Sequence, residues 1–197
     1  MVVATTMGSD GSGERWPAVG WQTRGSRVAY ENPWIRVRED AVLRPDGEPG
    51  IYGVVEVRSP AVFVVPVTEA DEVVLVAVDR YSLGGLSWEV PAGGTDGEET
   101  LAAAGRELRE ETGLAARSLT DLGPVHSLNG VAHAPGRVVL ATGLHPVGGA
   151  EQEAEGITGV RTVPIPELVV LIAAGEITDN ESLGALLLAL VRLGRVH

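Results

Sequence analysis

Residues 98–114 read EETLAAAGRELREETGL, and the helix formers running through 98–112 predict one helix. Thr95, three residues ahead of Glu98, predicts a capping box at its start. Within the helix Glu107, Glu110 and Glu111 fall at i, i+3 and i+4, so at about 100° per residue they share one face. Leu101, Ala104, Leu108 and Thr112 cluster about a third of a turn away, which lets the helix pack on a sheet while its acids point into a cleft. Three like charges there repel unless a cation intervenes. Hard divalent ions with oxygen ligands, Mg²⁺ or Mn²⁺, are the natural remedy, and such ions also bind and polarise phosphates. An acidic helix face also occurs as plain solvated surface, so the residues around it decide.

Outward from this helix, short apolar runs predict strands at 35–38, 52–58, 62–67 and 73–78, with Pro45-Asp46-Gly47 as a turn between the first two. The loop Pro91-Ala92-Gly93-Gly94 leads to the helix. Strand patterns return at 125–128, 137–142 and 157–163, and 164–174 and 180–193 read as helices, the last capped by Thr178 with Glu181. Mixed strands with helices between and after them predict an α/β sandwich rather than a doubly wound sheet.

The chain has 197 residues, 44% apolar and 21% charged, which predicts a folded core rather than disorder or a fibrous repeat. Its net charge of −12 argues against sequence-independent binding to nucleic acid or to an anionic membrane, where positive surface supplies the affinity. There is no cysteine, so any metal must sit on oxygen or imidazole. The four histidines lack metal-ligand spacing and read as surface or loop residues. Residues 1–13 lack the basic start and apolar run of a signal peptide, and a soluble cytoplasmic protein is expected. The apolar runs 168–174 and 185–191 fall far short of the roughly 20 residues of a membrane span. Residues 1–25 read as a flexible leader and 26–197 as a single domain.

The fixed context of the acids resembles the Nudix box, whose core reads R-E-U-x-E-E-x-G-U with U aliphatic. Glu98, then after seven residues Arg106, Glu107, Leu108, Glu110, Glu111, Gly113 and Leu114, match it position by position. Between Gly93 and Glu98 four residues intervene where the family pattern has five. The glycine pair 93–94 is expected to absorb that deletion, because glycine tolerates unusual backbone angles. Trp88-Glu89-Val90-Pro91-Ala92-Gly93 resembles the E-x-P-A-G loop of the branch that hydrolyses ADP-ribose and other nucleoside diphosphate sugars, and Arg80 lies nine residues before Glu89. Tyr30-Glu31-Asn32-Pro33-Trp34 and Gly175-Glu176-Ile177-Thr178-Asp179 are similar to the same branch.

The resemblance implies an α/β/α sandwich with a mixed sheet and a catalytic loop-helix-loop. It implies a Mg²⁺-dependent hydrolase, Mn²⁺ being possible, whose metal-activated water attacks phosphorus of a nucleoside diphosphate linked to a second moiety. Glu107 and Glu111, with the carbonyl of Ala92, would be metal ligands, Glu110 would be a further ligand or an aid to water activation, and Arg106 would orient the acids by reaching Glu110 one turn on. Arg80 would contact a phosphate or pair with an acid, and Glu89 would reach a ribose hydroxyl or the metal shell. Tyr30 and Trp34 would stack on an adenine, although Trp34 at a strand start also reads as core. A general base is expected from the Gly-rich acidic stretch 148–155, with Glu155 first and Glu153 next.

ADP-ribose leads among substrates. Members specific for it often carry a proline about fifteen residues beyond the box, where this chain has Asn129-Gly130, so other nucleoside diphosphate sugars stay open. Two further readings remain: another nucleoside diphosphate substrate within the family, or a module that binds a nucleotide sugar without turning it over. The branch also implies a homodimer in which N-terminal strands complete each other's sites.

Overall fold

The computed structural model describes residues 20–153 and 155–196. They fall into two compact units divided between Glu56 and Val57. The first carries β1 (Gln22–Glu31), β2 (Ile35–Leu43) and β3 (Pro49–Val57), hydrogen-bonded in that order. β1 runs antiparallel to β2, and the turn from β2 to β3 closes through Arg44 and Glu48, with Gly47 at a φ of 87°. Positive φ is open to glycine because it has no Cβ. β1 begins inside the stretch read as leader. It lacks alternating apolar residues, and every residue of it is exposed.

The second unit carries β4 (Ala61–Val67), β5 (Glu72–Arg80), β6 (Gly85–Glu89), β7 (Ala92–Gly94), α1 (Thr100–Thr112), β8 (Leu114–His126), β9 (Ala132–His133), β10 (Pro135–Pro146), β11 (Ile157–Pro164), α2 (Ile165–Ala173) and α3 (Asn180–Arg192). Its main sheet has the order β11-β5-β4-β10-β8, with β10 parallel to β4 and antiparallel to β8. The expected mixed sheet is therefore present. Alternation along β4 sorts its side chains to two faces. Val62 and Val64 pack with Val139, Ala141, Ala103, Ala104 and Leu108 under α1. Phe63, Val65 and Val67 join Leu75, Val138 and Leu140, with Leu168 of α2 and Leu186 of α3, on the other side. These two cores make the α/β/α sandwich. Burying Leu108 completely contributes about 2 kcal/mol to holding α1 on the sheet.

One irregularity positions the functional residues. β4 and β5 pair only through Val67 and Val73, and then diverge. β6 fills the widening gap along β5, and β7 along β4, with the Pro91 carbonyl accepting from Val64 N–H at 2.8 Å. The connection 89–94 is thereby wedged into the sheet, directly under α1.

Three local expectations need correction. α1 starts at Thr100 with Glu99 as its N-cap and no side-chain cap; Thr95 lies five residues ahead of it, its carbonyl accepting from Glu98 N–H and its own N–H donating to the Pro60 carbonyl. Gly93 and Gly94, expected to absorb the short loop, are strand, and the positive φ angles ahead of Glu98 belong to Asp96 and Gly97. α3 is capped by Asp179, one residue beyond Thr178, whose carboxylate accepts from Ser182 N–H at 2.7 Å. Among the described residues no helix is long and apolar enough to cross a membrane.

Candidate active site

α1 is rotated relative to the face expected from its apolar residues. Leu101 is exposed, and the buried positions are Ala103, Ala104, Glu107, Leu108 and Glu111. Two of the three carboxylates therefore lie inside the buried arc, each only 5% exposed, facing the wedge of β6 and β7. Glu111 accepts the Ala92 N–H at 3.2 Å. Glu107 lies against Gly93 so closely that a Cβ there would collide with its carboxylate.

Arg106 fastens the loop to the helix. Its guanidinium donates to Glu98 at 2.8 Å, Glu107 at 2.8 Å, Glu110 at 3.0 Å and the Gly94 carbonyl at 2.8 Å. The contact one turn along the helix is thus made, and three further acceptors use the rest of the planar fork. Arg109 donates to the other oxygen of Glu110 at 2.8 Å. Beside the wedge Arg80 pairs with the buried Glu89 through two bonds, of 3.0 and 2.5 Å. The positive charge of Arg80 is felt by Asp179 at the start of α3 and by Glu111. Glu155 is exposed, and its charge acts on both Glu107 and Glu111.

The electrostatics are those of a site with too much negative charge. Burial, and then the charge of Glu107, push the Glu111 carboxyl up to about 8, with the Ala92 N–H and Arg80 opposing. Burial also raises Glu107, against the pull of Arg106. Among the described residues no three acidic or imidazole side chains converge as a ready-made metal cage. The reason lies in their partners, since Glu110 is held between Arg106 and Arg109 and Glu107 is turned to Arg106. The donor set nevertheless fits a hard dication. It is all oxygen, and Glu111 has a single N–H and no bonded cation to offset its burial.

Between the ordinary value of 4.5 and about 8 the folded state holds a proton on Glu111 that the unfolded chain has released. Stability rises with pH only where the unfolded state binds more protons, so here it falls. The thermal midpoint of metal-free protein in chelator is expected to drop as pH rises through this window, and added Mg²⁺ to reverse the drop. A midpoint that climbs with pH in chelator would contradict the assignment.

Of the residues singled out from sequence, Arg80, Glu89, Ala92, Arg106, Glu107, Glu110 and Glu111 come together on the wedge and α1. Tyr30 and Trp34 belong to the first unit, where they are 57% and 73% exposed; Trp34 is not a core residue. Glu153 is exposed and its carbonyl accepts from Gly156 N–H. Gly93 was expected only to absorb the short loop, and Arg109 and Asp179 were given no role in the site. At Gly93 the Glu107 carboxylate occupies the space that a Cβ would take, which only glycine leaves open. A cavity of about 560 Å³ opens between residues 124–129 and the start of α3, lined in part by His126, Asn129, Asn180, Glu181 and Leu187.

Known proteins resemble this chain in sequence and in fold. Residues 57–183 match the model of the NUDIX domain, and residues 21–55 that of the nucleoside diphosphate sugar hydrolase N-terminal domain. The chain is 33% identical over 172 residues to an ADP-ribose pyrophosphatase of Mycobacterium tuberculosis, covering 85% of this chain and 82% of that one. It is 30% identical over 176 residues to a CMP-5'-(N-acetyl-N-hydroxy-3-aminopropyl)phosphonate hydrolase of Streptomyces rubellomurinus, covering 88% and 84%. A crystal structure of an ADP compounds hydrolase superposes with a TM-score of 0.78 at 22% identity, over 89% of this chain and 97% of that one, which speaks to the fold.

Proposed function

The chain belongs to the NUDIX family, and from that premise we propose that it hydrolyses the pyrophosphate of ADP-ribose or a related nucleoside diphosphate sugar. Water adds to one phosphorus, the bridging P–O bond breaks, and a nucleoside monophosphate and a sugar phosphate leave. The observation that carries this reading is the fourfold grip of Arg106, which joins the Gly94 carbonyl to Glu98, Glu107 and Glu110. A guanidinium so placed fixes loop and acids as one unit.

Glu107, Glu110, Glu111 and the Ala92 carbonyl would hold Mg²⁺, with Mn²⁺ as a substitute. When bound, such an ion offsets phosphate charge and lowers the pKa of the water it binds. The chain's own residues supply the rest. Arg80, with its outer half exposed and its charge partly matched by Glu89, faces a phosphate. Glu155, whose carboxylate is exposed, takes the proton from the attacking water. Tyr30 and Trp34 offer open aromatic faces to a base. Asn129, Asn180 and Glu181 in the cavity offer groups suited to sugar hydroxyls. The exposed β1, with Val28 and Tyr30 uncovered, supports a homodimer formed through the first unit.

A second reading has its own support. Asn129 replaces the proline common among ADP-ribose enzymes, and one relative is named for a CMP conjugate of a phosphonate. The test is a panel of ADP-ribose, other nucleoside diphosphate sugars and CMP conjugates, each with Mg²⁺ or Mn²⁺, read by chromatography of products. Turnover of a sugar nucleotide to monophosphate and sugar phosphate is expected. Turnover confined to CMP conjugates favours the second reading, and tight binding without products would identify a sensing module instead.

A further inference from the structure

The C-terminal end of α1 is not left to solvent. The last carbonyls of a helix have no partner within it. Here Glu110 C=O accepts from Glu151 N–H at 2.7 Å, and Glu111 C=O from the side-chain amide of Gln152 at 2.9 Å. Gly113 C=O accepts from Val147 N–H at 2.9 Å and Gly148 N–H at 3.1 Å. Arg109 completes the seam, giving one hydrogen bond to Glu110 and another, of 3.2 Å, to the Gly149 carbonyl. Gly148 and Gly149 both stand at positive φ, and a Cβ at 149 would lie 3.1 Å from the Arg109 guanidinium. So the glycine pair is what lets this chain turn its carbonyl to the arginine.

The far end of the same stretch is also tied. Ile157 N–H reaches back to Gln152 C=O at 2.8 Å, and Asp79 N–H donates to Gly156 C=O at 2.9 Å, one residue from Arg80. Glu155 therefore sits between two pinned points, one on the helix that carries the acids and one beside the Arg80–Glu89 pair. Neither Arg109 nor Gln152 belongs to the residues that the box pattern fixes.

We infer that Arg109 and Gln152 are positioning residues, which clasp residues 147–153 to the C-terminal end of α1 and thereby hold Glu155 over the acidic face. The inference rests on the reading of Glu155 as the proton acceptor. Gln152 is the cleaner probe, because its side-chain amide donates to a backbone carbonyl, whereas Arg109 donates to the Glu110 carboxylate as well. Gln152→Glu keeps the size of the side chain but removes the donor.

The test combines amide hydrogen exchange of the whole protein with steady-state kinetics. In Arg109→Ala and in Gln152→Glu, exchange at Val147, Gly148 and Glu151 is expected to speed up about tenfold or more, while β4 and β10 keep their protection. With a sugar nucleotide that the wild type turns over, kcat falls about tenfold in Gln152→Glu and KM stays within about twofold. In a Glu155→Gln background, Gln152→Glu is expected to add no further loss, since a residue that acts through Glu155 has nothing left to position. Unchanged exchange in both variants overturns the clasp. Losses that add in full overturn its action through Glu155. Exchange is read without substrate, so a wild type inactive on every sugar nucleotide sinks the substrate reading while the clasp is still decided.

Discussion

Glu111→Gln is expected to lower kcat on the order of a thousandfold and at the same time to raise the thermal midpoint of the metal-free protein. The two effects come from one cause. Glu111 is buried beside Glu107, and its carboxyl is pushed up to about 8, so folding keeps an acid where the surroundings oppose its charge. A glutamine oxygen still accepts the Ala92 N–H, leaving the wedge attached to α1. What disappears is the charge, and with it the repulsion in the metal-free state and the ligand in the active one. Functional sites commonly conflict with stability in this manner. Circular dichroism, thermal melts in chelator and initial rates on one preparation check both halves. A variant that melts lower in chelator yet retains activity would show Glu111 to be a structural residue.

The second large effect is expected from Gly93→Ala. Strand geometry alone accepts alanine at that position, in a three-residue strand paired with β4. Glu107 forbids it, because the added methyl would collide with its carboxylate. The carboxylate is the free end of a flexible side chain, but it is buried and bonded to Arg106, so it can retreat only by breaking that contact. Overpacking of this kind costs about 1–3 kcal/mol. The loss in kcat is expected to be larger in proportion, about a hundredfold or more, since a shift of the order of 1 Å at a reacting centre carries that penalty. Gly105→Ala is the matched comparison. Its Cβ would meet only Leu119 at an ordinary 3.5 Å, and alanine favours a helix interior by about 1 kcal/mol. That variant is expected to be active and slightly more stable. Equal activity of the two variants would remove the role assigned to the contact of Gly93 with Glu107.

The acids and Arg106 were legible because chemistry fixes both residue type and spacing, and helical periodicity turns spacing into a shared face. The rotation of α1 was not. Apolar periodicity centred the buried face on Leu101, Ala104 and Leu108, while the structure exposes Leu101 and buries Ala103, Glu107 and Glu111 beside Ala104 and Leu108. Burying carboxylates against a backbone wedge runs against the hydrophobic pattern, and only their partners on distant strands show why it is tolerated. The strands 62–67 and 73–78 read correctly because both are continuous apolar runs buried on two faces. β6, β7 and all of β8 but Val125 and His126 were missed, since short, Gly-bearing or polar strands carry no alternation. β1 was missed for the same reason, being exposed throughout. The clasp at residues 147–153 has no sequence signature beyond its glycines. Its bonds join positions about forty residues apart, and nothing local announces them.

The claim on which the rest depends is that the acidic face of α1 holds a divalent cation. Titration of Mn²⁺ into the protein, followed by loss of the free-ion paramagnetic resonance signal, tests it without any substrate. Wild type is expected to take up the ion with an affinity that falls at least about tenfold in Glu111→Gln and in Glu107→Gln. Uptake of Mn²⁺ that is the same in all three proteins would contradict the account.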